Sequence, residues 1–305
     1  MQMPPKISVC IPTYNSEKYL KQALDSVLSQ SFKDFEIVVV DNNSKDNTAV
    51  IAEYYSSIDS RIVFYRNEEN IGMVGNWNLC LKQASGEYIK FVFSDDVLLS
   101  EYALEKMFGV LEEDPDVSLV ACARFLINDE SDIIRKVSFF DDNLKCTGEE
   151  IINRSLFLQT NIVGEPTAVM FRRKPVGCYF DYDYKQIVDF EMWIRLLECG
   201  SFAYIAEPLC GFRVHSEQQT TRNRKSLVAL EDWIKLYDCY FNKPYININS
   251  MVRFFVRFDN TYSVFKMCLF GKMSIYEFFF YYPIHAFVKP FYKIYKKYVL
   301  SIVYK

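Results

Sequence analysis

Two alternating periods constrain this chain more than any other feature. Over roughly the first 120 residues, short apolar runs alternate with stretches whose apolar residues recur every three or four positions. The lengths are those of βαβ units. Residues 7–11 read as a buried strand, after which Tyr19, Leu20, Ala23, Leu24, Val27 and Leu28 fall on one helical face. Residues 36–40 form the clearest strand, and the polar loop 41–48 behind it caps a helix through Ile51 and Tyr55. Residues 61–65, 88–93 and 118–123 read as further strands, with helices over 76–84 and 104–111. Right-handed crossovers between parallel strands place the loops that follow them on one rim, which is where open α/β sheets bind ligands.

Asp41, Asp95 and Asp96 end two of these strands and are expected to face one crevice. Asp95 and Asp96 stand where an apolar run stops. Adjacent carboxylates repel unless a cation or hydrogen-bond donors hold them. The pair suits a divalent metal whose shell is completed by diphosphate oxygens. It equally suits a solvated turn before a helix at Ser100, with Asp96 helping to start that helix. Neither a Gly-x-Gly-x-x-Gly nor a Walker lysine motif occurs, which disfavours an NAD-dependent enzyme and a P-loop kinase. Phosphate bound here would need a metal rather than a backbone cradle.

The 305 residues allow one large domain or two modest ones, and half are hydrophobic, enough for a packed core. Nine cysteines are scattered without a Cys-x-x-Cys, several inside apolar runs. That pattern reads as buried reduced thiols of a cytoplasmic protein, and zinc is not expected. Residues 1–6 are polar and short, so no signal peptide is expected, and no apolar run is long enough to span a bilayer. The net charge of −4 hides an asymmetry: residues 253–305 carry +7 and the remainder −11. An acidic body makes nucleic acid an unsuitable partner. A basic tail whose lysines are interleaved with rings, as in Phe291-Tyr292-Lys293-Ile294-Tyr295-Lys296-Lys297-Tyr298, suits an anionic membrane surface. The alternative for the tail is a helical subdomain packed on the core with its lysines facing water. Between the two parts, residues 126–210 mix hairpin-like stretches with helices over 149–158 and 190–197, and the pattern from about Ser226 is mostly helical.

Ile11-Pro12-Thr13-Tyr14-Asn15 and then Val40-Asp41-Asn42-Asn43-Ser44-Lys45-Asp46-Asn47-Thr48 resemble the opening of glycosyltransferase family 2. Asn70-Ile71-Gly72, Gly86-Glu87-Tyr88-Ile89 and Ser94-Asp95-Asp96 follow in that family's order. Val188-Asp189-Phe190-Glu191-Met192-Trp193-Ile194-Arg195-Leu196 resembles its acidic helix start, and Gly211-Phe212-Arg213-Val214-His215 its later Arg-x-His element. The resemblance spans about residues 6–220. It implies an α/β fold of the GT-A type: a Rossmann-like, mostly parallel sheet flanked by helices, forming a catalytic domain over 1–222. A mainly helical extension over 223–305 would follow, whose aromatic and basic composition suits membrane association.

The resemblance further implies an inverting transferase using a nucleotide-diphospho-sugar, expected to be a UDP-sugar, with Mn²⁺ or Mg²⁺. Pro12, Thr13, Tyr14 and Asn15 would line the nucleotide pocket and Asp41 would meet the base. Asp95 would lie near ribose and sugar, Asp96 would bind the metal, His215 would complete its shell and Asp189 would be the general base. At the first turn of a helix, Asp189 is expected to keep a low pKa. The bland readings stand beside these. Asp189 also suits a helix cap, Glu191 an i+4 pair with Arg195, and His215 a structural role. Tyr14 suits stacking on a base or packing the first turn, and Asn76 and Trp77 suit a donor pocket or a helix start with a core ring. Glu165 is the rival base or acceptor ligand. Phe93 stands where many relatives carry a further Asp, and the Gln-x-x-Arg-Trp element of processive polymerases is absent. A single transfer per encounter is therefore expected, onto a saccharide or lipid-linked saccharide, at the cytoplasmic face of a membrane. The competing classes are a nucleotidyltransferase, which would show a glycine-rich N-terminal loop, and a sugar-nucleotide-binding protein without transfer.

Overall fold

The computed structural model describes residues 4–173, 179–215, 218 and 228–248. The expected membrane-facing tail and the expected boundary at 222 lie outside the described residues. Strand β1 (Ile7–Thr13) is followed by α1 (Leu20–Leu28), β2 (Phe35–Asp41), α2 (Thr48–Ile58), β3 (Ile62–Arg66), α3 (Gly72–Gln83) and β4 (Tyr88–Phe91). These four strands are parallel, in the spatial order β3-β2-β1-β4. All of β1 is buried. Ile7, Val9 and Ile11 enter a core with Leu20, Leu24 and Val27 of α1 and Ala52 of α2. Cys10 enters the opposite core with Val38, Val40, Phe91 and Trp193. A two-residue period distributes side chains to both faces, and helices cover both, so the strands read as continuous apolar runs.

Past β4 come β5 (Val97–Leu98), α4 (Ala103–Glu113), β6 (Val117–Ile127), β7 (Ile133–Val137), β8 (Leu144–Thr147) and α5 (Gly148–Leu158). A 3₁₀ turn (Pro166–Ala168) then leads into β9 (Val169–Arg172), α6 (Val188–Leu197), β10 (Ser201–Arg213) and α7 (Val228–Tyr240). The sheet becomes mixed here: β9 inserts antiparallel between β4 and β6, while β10 runs parallel to β6. Because β9 runs against β4, its start lies at the carboxyl end of β4. The 3₁₀ turn therefore reaches the rim, where Phe93 N donates to Thr167 Oγ1 at 3.1 Å. The fully buried Lys90 ammonium donates to the carbonyl oxygens of Thr167 and Val169.

Helix α7 packs into the Trp193 core through Leu236, Tyr237 and Tyr240, with Tyr237 Oη donating to Leu156 O at 3.1 Å. Its buried Asp232 caps the approach to α6. Asp232 Oδ2 accepts from the backbone N–H groups of Lys185 (2.9 Å), Gln186 (2.6 Å) and Ile187 (3.1 Å). No helix among the described residues is long and apolar enough to cross a membrane.

Candidate active site

Two adjoining lobes open at the carboxyl rim of the sheet. The outer lobe, about 590 Å³, is lined by Pro12, Thr13, Tyr14 and Asn15 from the loop after β1, by Asn42, Asn70, Asn76 and Trp77, and by Lys18, Asp95 and His215. The inner lobe, about 290 Å³, is lined by Trp77, Phe93, Asp95, Glu165, Lys185 and Asp189, among others. Tyr14, Trp77 and Asp95 border both. The Trp77 ring also packs 4.8 Å from that of Phe93, so it serves core and cavity together. Under the outer lobe runs an amide network. Asn42 Nδ2 donates to Asn70 Oδ1 (2.9 Å), and Asn42 Oδ1 accepts from Asn67 Nδ2 (3.0 Å) and Ile71 N (2.9 Å). Asn76 Nδ2 donates to Val40 O at 3.0 Å, tying α3 to the end of β2.

Asp41 ends β2 at this rim, yet its side chain is fully buried and is not among the residues lining either lobe. Its carboxylate accepts from Ser44 N (3.1 Å), from the Ser44 hydroxyl and from Thr13 Oγ1 (3.4 Å), with Arg66 Nε 3.4 Å away. It orders the loop under the cavity, while its neighbour Asn42, itself buried, lines the lobe.

The paired aspartates are placed differently from one another. Asp96, expected to hold the metal, is fully buried, and both oxygens are occupied: Thr167 Oγ1 donates to Oδ2 at 2.5 Å and Arg213 N to Oδ1 at 2.9 Å. Burial, followed by the charge of Asp95, pushes its carboxyl well above the usual range. Asp95, expected beside ribose and sugar, faces the cavity, and its Oδ2 lies 3.0 Å from His215 Nε2. His215 is thus brought to Asp95 and not to Asp96. The two aspartates lie in the turn between β4 and β5, closed by Asp96 N donating to Phe93 O at 3.0 Å, and Asp96 is the one turned inward. Among the described residues no three His, Cys, Asp or Glu side chains converge on one point. Two protein ligands are enough for an ion that keeps water and phosphate oxygens in its remaining positions. An imidazole beside a carboxylate suits Mn²⁺ better than Mg²⁺.

Asp189 lies in the first turn of α6 and faces the inner lobe. Its Oδ1 accepts from Phe190 N (2.8 Å) and its Oδ2 from Asn161 Nδ2 (3.3 Å). The expected low pKa does not survive: burial pushes this carboxyl up to about 7, with the nearby charge of Glu165 adding to the rise. Desolvation in the inner lobe outweighs the favourable helix N-terminus. Glu165 stands across the lobe, gripped by the buried Arg124, whose Nη2 donates to Oε1 at 2.8 Å while Nε pairs with Oε2. The loop carrying Glu165 is pinned by Asn161, whose Oδ1 accepts from Val163 N (3.1 Å) and Gly164 N (3.0 Å). Gly164, at φ 124°, adopts a backbone conformation that side chains disfavour. Glu191 forms the expected i+4 fork with Arg195, at 2.8 and 2.9 Å, and takes no part in the cavity lining. Lys18, Arg124, Asn161 and Lys185 carried no readable signal, because each is recruited by a loop packing of distant origin.

Residues 8–180 match the family described as "Glycosyl transferase family 2". An uncharacterised glycosyltransferase of Methanocaldococcus jannaschii is 30% identical, with 79% of each chain covered. The GalNAc(5)-diNAcBac-PP-undecaprenol beta-1,3-glucosyltransferase of Campylobacter jejuni is 27% identical over 89% of each. Among solved structures, S. aureus TarS 1-349 in complex with UDP-GlcNAc superposes with a TM-score of 0.60 at 24% identity, covering 77% of this chain and 65% of that one. The mannosyltransferase PcManGT of Pyrobaculum calidifontis, in complex with GDP-Man and Mn²⁺, gives a TM-score of 0.61 at 18% identity over 85% and 72%. Both structures are glycosyltransferases with the same α/β architecture.

Proposed function

We propose, from the premise that this chain belongs to glycosyl transferase family 2 and has the GT-A fold, that it moves one sugar from a nucleoside-diphosphate sugar to a saccharide hydroxyl with inversion. The observation that carries the proposal is the meeting of two lobes at Asp95. One is walled by amides and an exposed tyrosine ring and contains the Asp95–His215 pair. The other is aromatic and contains Asp189 and Glu165.

In this reading the nucleotide lies in the outer lobe over Pro12, Thr13, Tyr14, Asn15 and Asn42. Asp41 supports that wall through Ser44 and Thr13. Asp95 and His215 hold the divalent cation, Mn²⁺ in preference to Mg²⁺, and Asp96 fixes the Asp95 loop against Thr167 and Arg213. When bound, the ion neutralises charge on the departing diphosphate as a Lewis acid. The acceptor sits in the inner lobe against Trp77 and Phe93. Asp189 takes the proton from its hydroxyl as that oxygen bonds to the anomeric carbon and the bond to the diphosphate breaks. Expulsion of water from this lobe keeps Asp189 basic enough to act near neutral pH. Glu165, tied to Arg124, accepts from a second acceptor hydroxyl. A lipid-linked acceptor is supported by the Campylobacter relative's name, and a UDP-sugar donor by the TarS complex. The basic aromatic residues from 253 on would then bring the enzyme to the inner face of the membrane.

The test is thermal stabilisation by UDP, GDP and dTDP with and without Mn²⁺. Stabilisation by one nucleotide, dependent on metal and lost in Asp95→Ala, is the expected outcome. Metal-dependent binding that survived Asp95→Ala but not Asp96→Ala would reverse the assignment of the two aspartates.

A further inference from the structure

A departing nucleoside diphosphate and the Asp95 carboxylate together carry more negative charge than one divalent ion neutralises, so a further cation beside the outer lobe would stabilise the complex. Among the described residues lining it, Lys18 is the single lysine or arginine. It stands on the same side as the metal-holding pair, through a continuous set of contacts. Asp95 Oδ2 is 3.0 Å from His215 Nε2, the His215 ring centroid is 5.3 Å from that of Tyr19, and Lys18 Nζ is 4.8 Å from the Tyr19 ring.

Lys18 Nζ donates to Asp129 Oδ2 at 2.7 Å. Both side chains are substantially exposed, at 59% and 39%, and an exposed pair of this kind contributes little and breaks easily. Asp129 itself is fixed independently. Tyr19 Oη donates to its Oδ1 at 2.9 Å, and the buried Arg213 donates to its carbonyl at 3.0 Å. The carboxylate is therefore a rigid post, and the lysine is the part free to leave it on a long, flexible stem.

We propose that Lys18 is a diphosphate-binding residue parked on Asp129, which it leaves to donate to the phosphates when a nucleoside diphosphate enters the outer lobe. This rests on the donor reading above and adds a residue outside the motifs that carry the family resemblance. The side chain would follow charge as it develops on the leaving diphosphate, a task suited to a mobile ammonium.

The experiment compares binding of UDP, GDP and dTDP with that of uridine, guanosine and thymidine, by calorimetry in Mn²⁺, for the wild-type chain, Lys18→Gln and Asp129→Asn. Lys18→Gln should weaken the preferred diphosphate about tenfold or more and leave the matching nucleoside unchanged, because one charge-assisted contact to phosphate is lost. Asp129→Asn should hold or tighten diphosphate binding, since it removes the competing partner. Undiminished diphosphate affinity in Lys18→Gln would overturn the assignment, as would an equal loss in Asp129→Asn, which would make the ion pair itself the requirement. If the wild-type chain bound none of the diphosphates, the donor reading would fall and the Lys18 assignment with it. That outcome is distinct from a wild-type chain that binds beside an unaffected variant.

Discussion

The Asp189 carboxyl, raised to about 7 by burial, titrates where the enzyme would work. As a base it must be ionised, so kcat/KM should climb with pH through about 7 and fall close to tenfold per unit below it. Stability moves the other way. The folded carboxyl binds a proton at pH values where the unfolded one, with a pKa of about 4, does not. Its contribution is therefore fully present at low pH and is lost as pH rises through about 7. Asp189→Asn should retain donor binding, lose transfer by roughly 10²-fold or more, and melt above the wild type by a wider margin at pH 8 than at pH 5. Glu165→Gln removes a negative neighbour and should move the acid limb to lower pH. An unmoved limb in that variant, measured as kcat/KM against pH, would mean another group titrates. The reversal of Asp95 and Asp96 belongs to this scale too. Two adjacent carboxylates after an apolar run are visible in the sequence; that they point apart is not. Which one is turned inward depends on Thr167 and Arg213, each over 70 residues away.

Helix α6 shows how an element can be legible while its anchoring is not. Its apolar face is readable from Phe190, Trp193, Ile194 and Leu197, all of which are buried. The cap is not readable, because Ile187 at the N-cap supplies no side-chain acceptor and the work is done by Asp232, some 45 residues downstream. The same holds for β9. Four residues of unremarkable pattern become the central antiparallel strand because β4 and β6 leave a gap that their edges must fill. By contrast, the first four strands and their helices follow from local periodicity, since each unit packs on its sequence neighbour. Asp232→Ala leaves one buried and two partly buried N–H groups without their acceptor and should cost about 2 kcal/mol in urea unfolding. It should also lower kcat through Lys185, Gln186 and Asp189, which line the inner lobe just beyond the capped segment. Full activity in a variant destabilised to that extent would show that the cap supports the fold without setting the site.

Charge is segregated on the scale of the whole chain. Residues 253–305 carry +7 against −11 for the rest, so an anionic surface attracts one end and repels the other. On the membrane reading proposed above, that field would orient as well as bind, with the basic aromatic end toward the lipid. Rings such as Phe291, Tyr292 and Tyr295 would then supply interfacial area, and Lys293, Lys296 and Lys297 attraction to headgroups. Each lysine near an anionic leaflet is worth about 1 kcal/mol. Replacing all three by glutamine should therefore weaken binding to phosphatidylglycerol-containing vesicles by roughly 100-fold. Sedimentation of the full chain with vesicles measures this directly. Binding should fall with added salt, as screening shortens the reach of the field, and should be weak on purely zwitterionic lipid. Equal binding to zwitterionic and anionic vesicles, or a triple variant that sediments like the wild type, would remove the tail from any electrostatic role. A lipid-linked acceptor would then have to reach the inner lobe without help from charge.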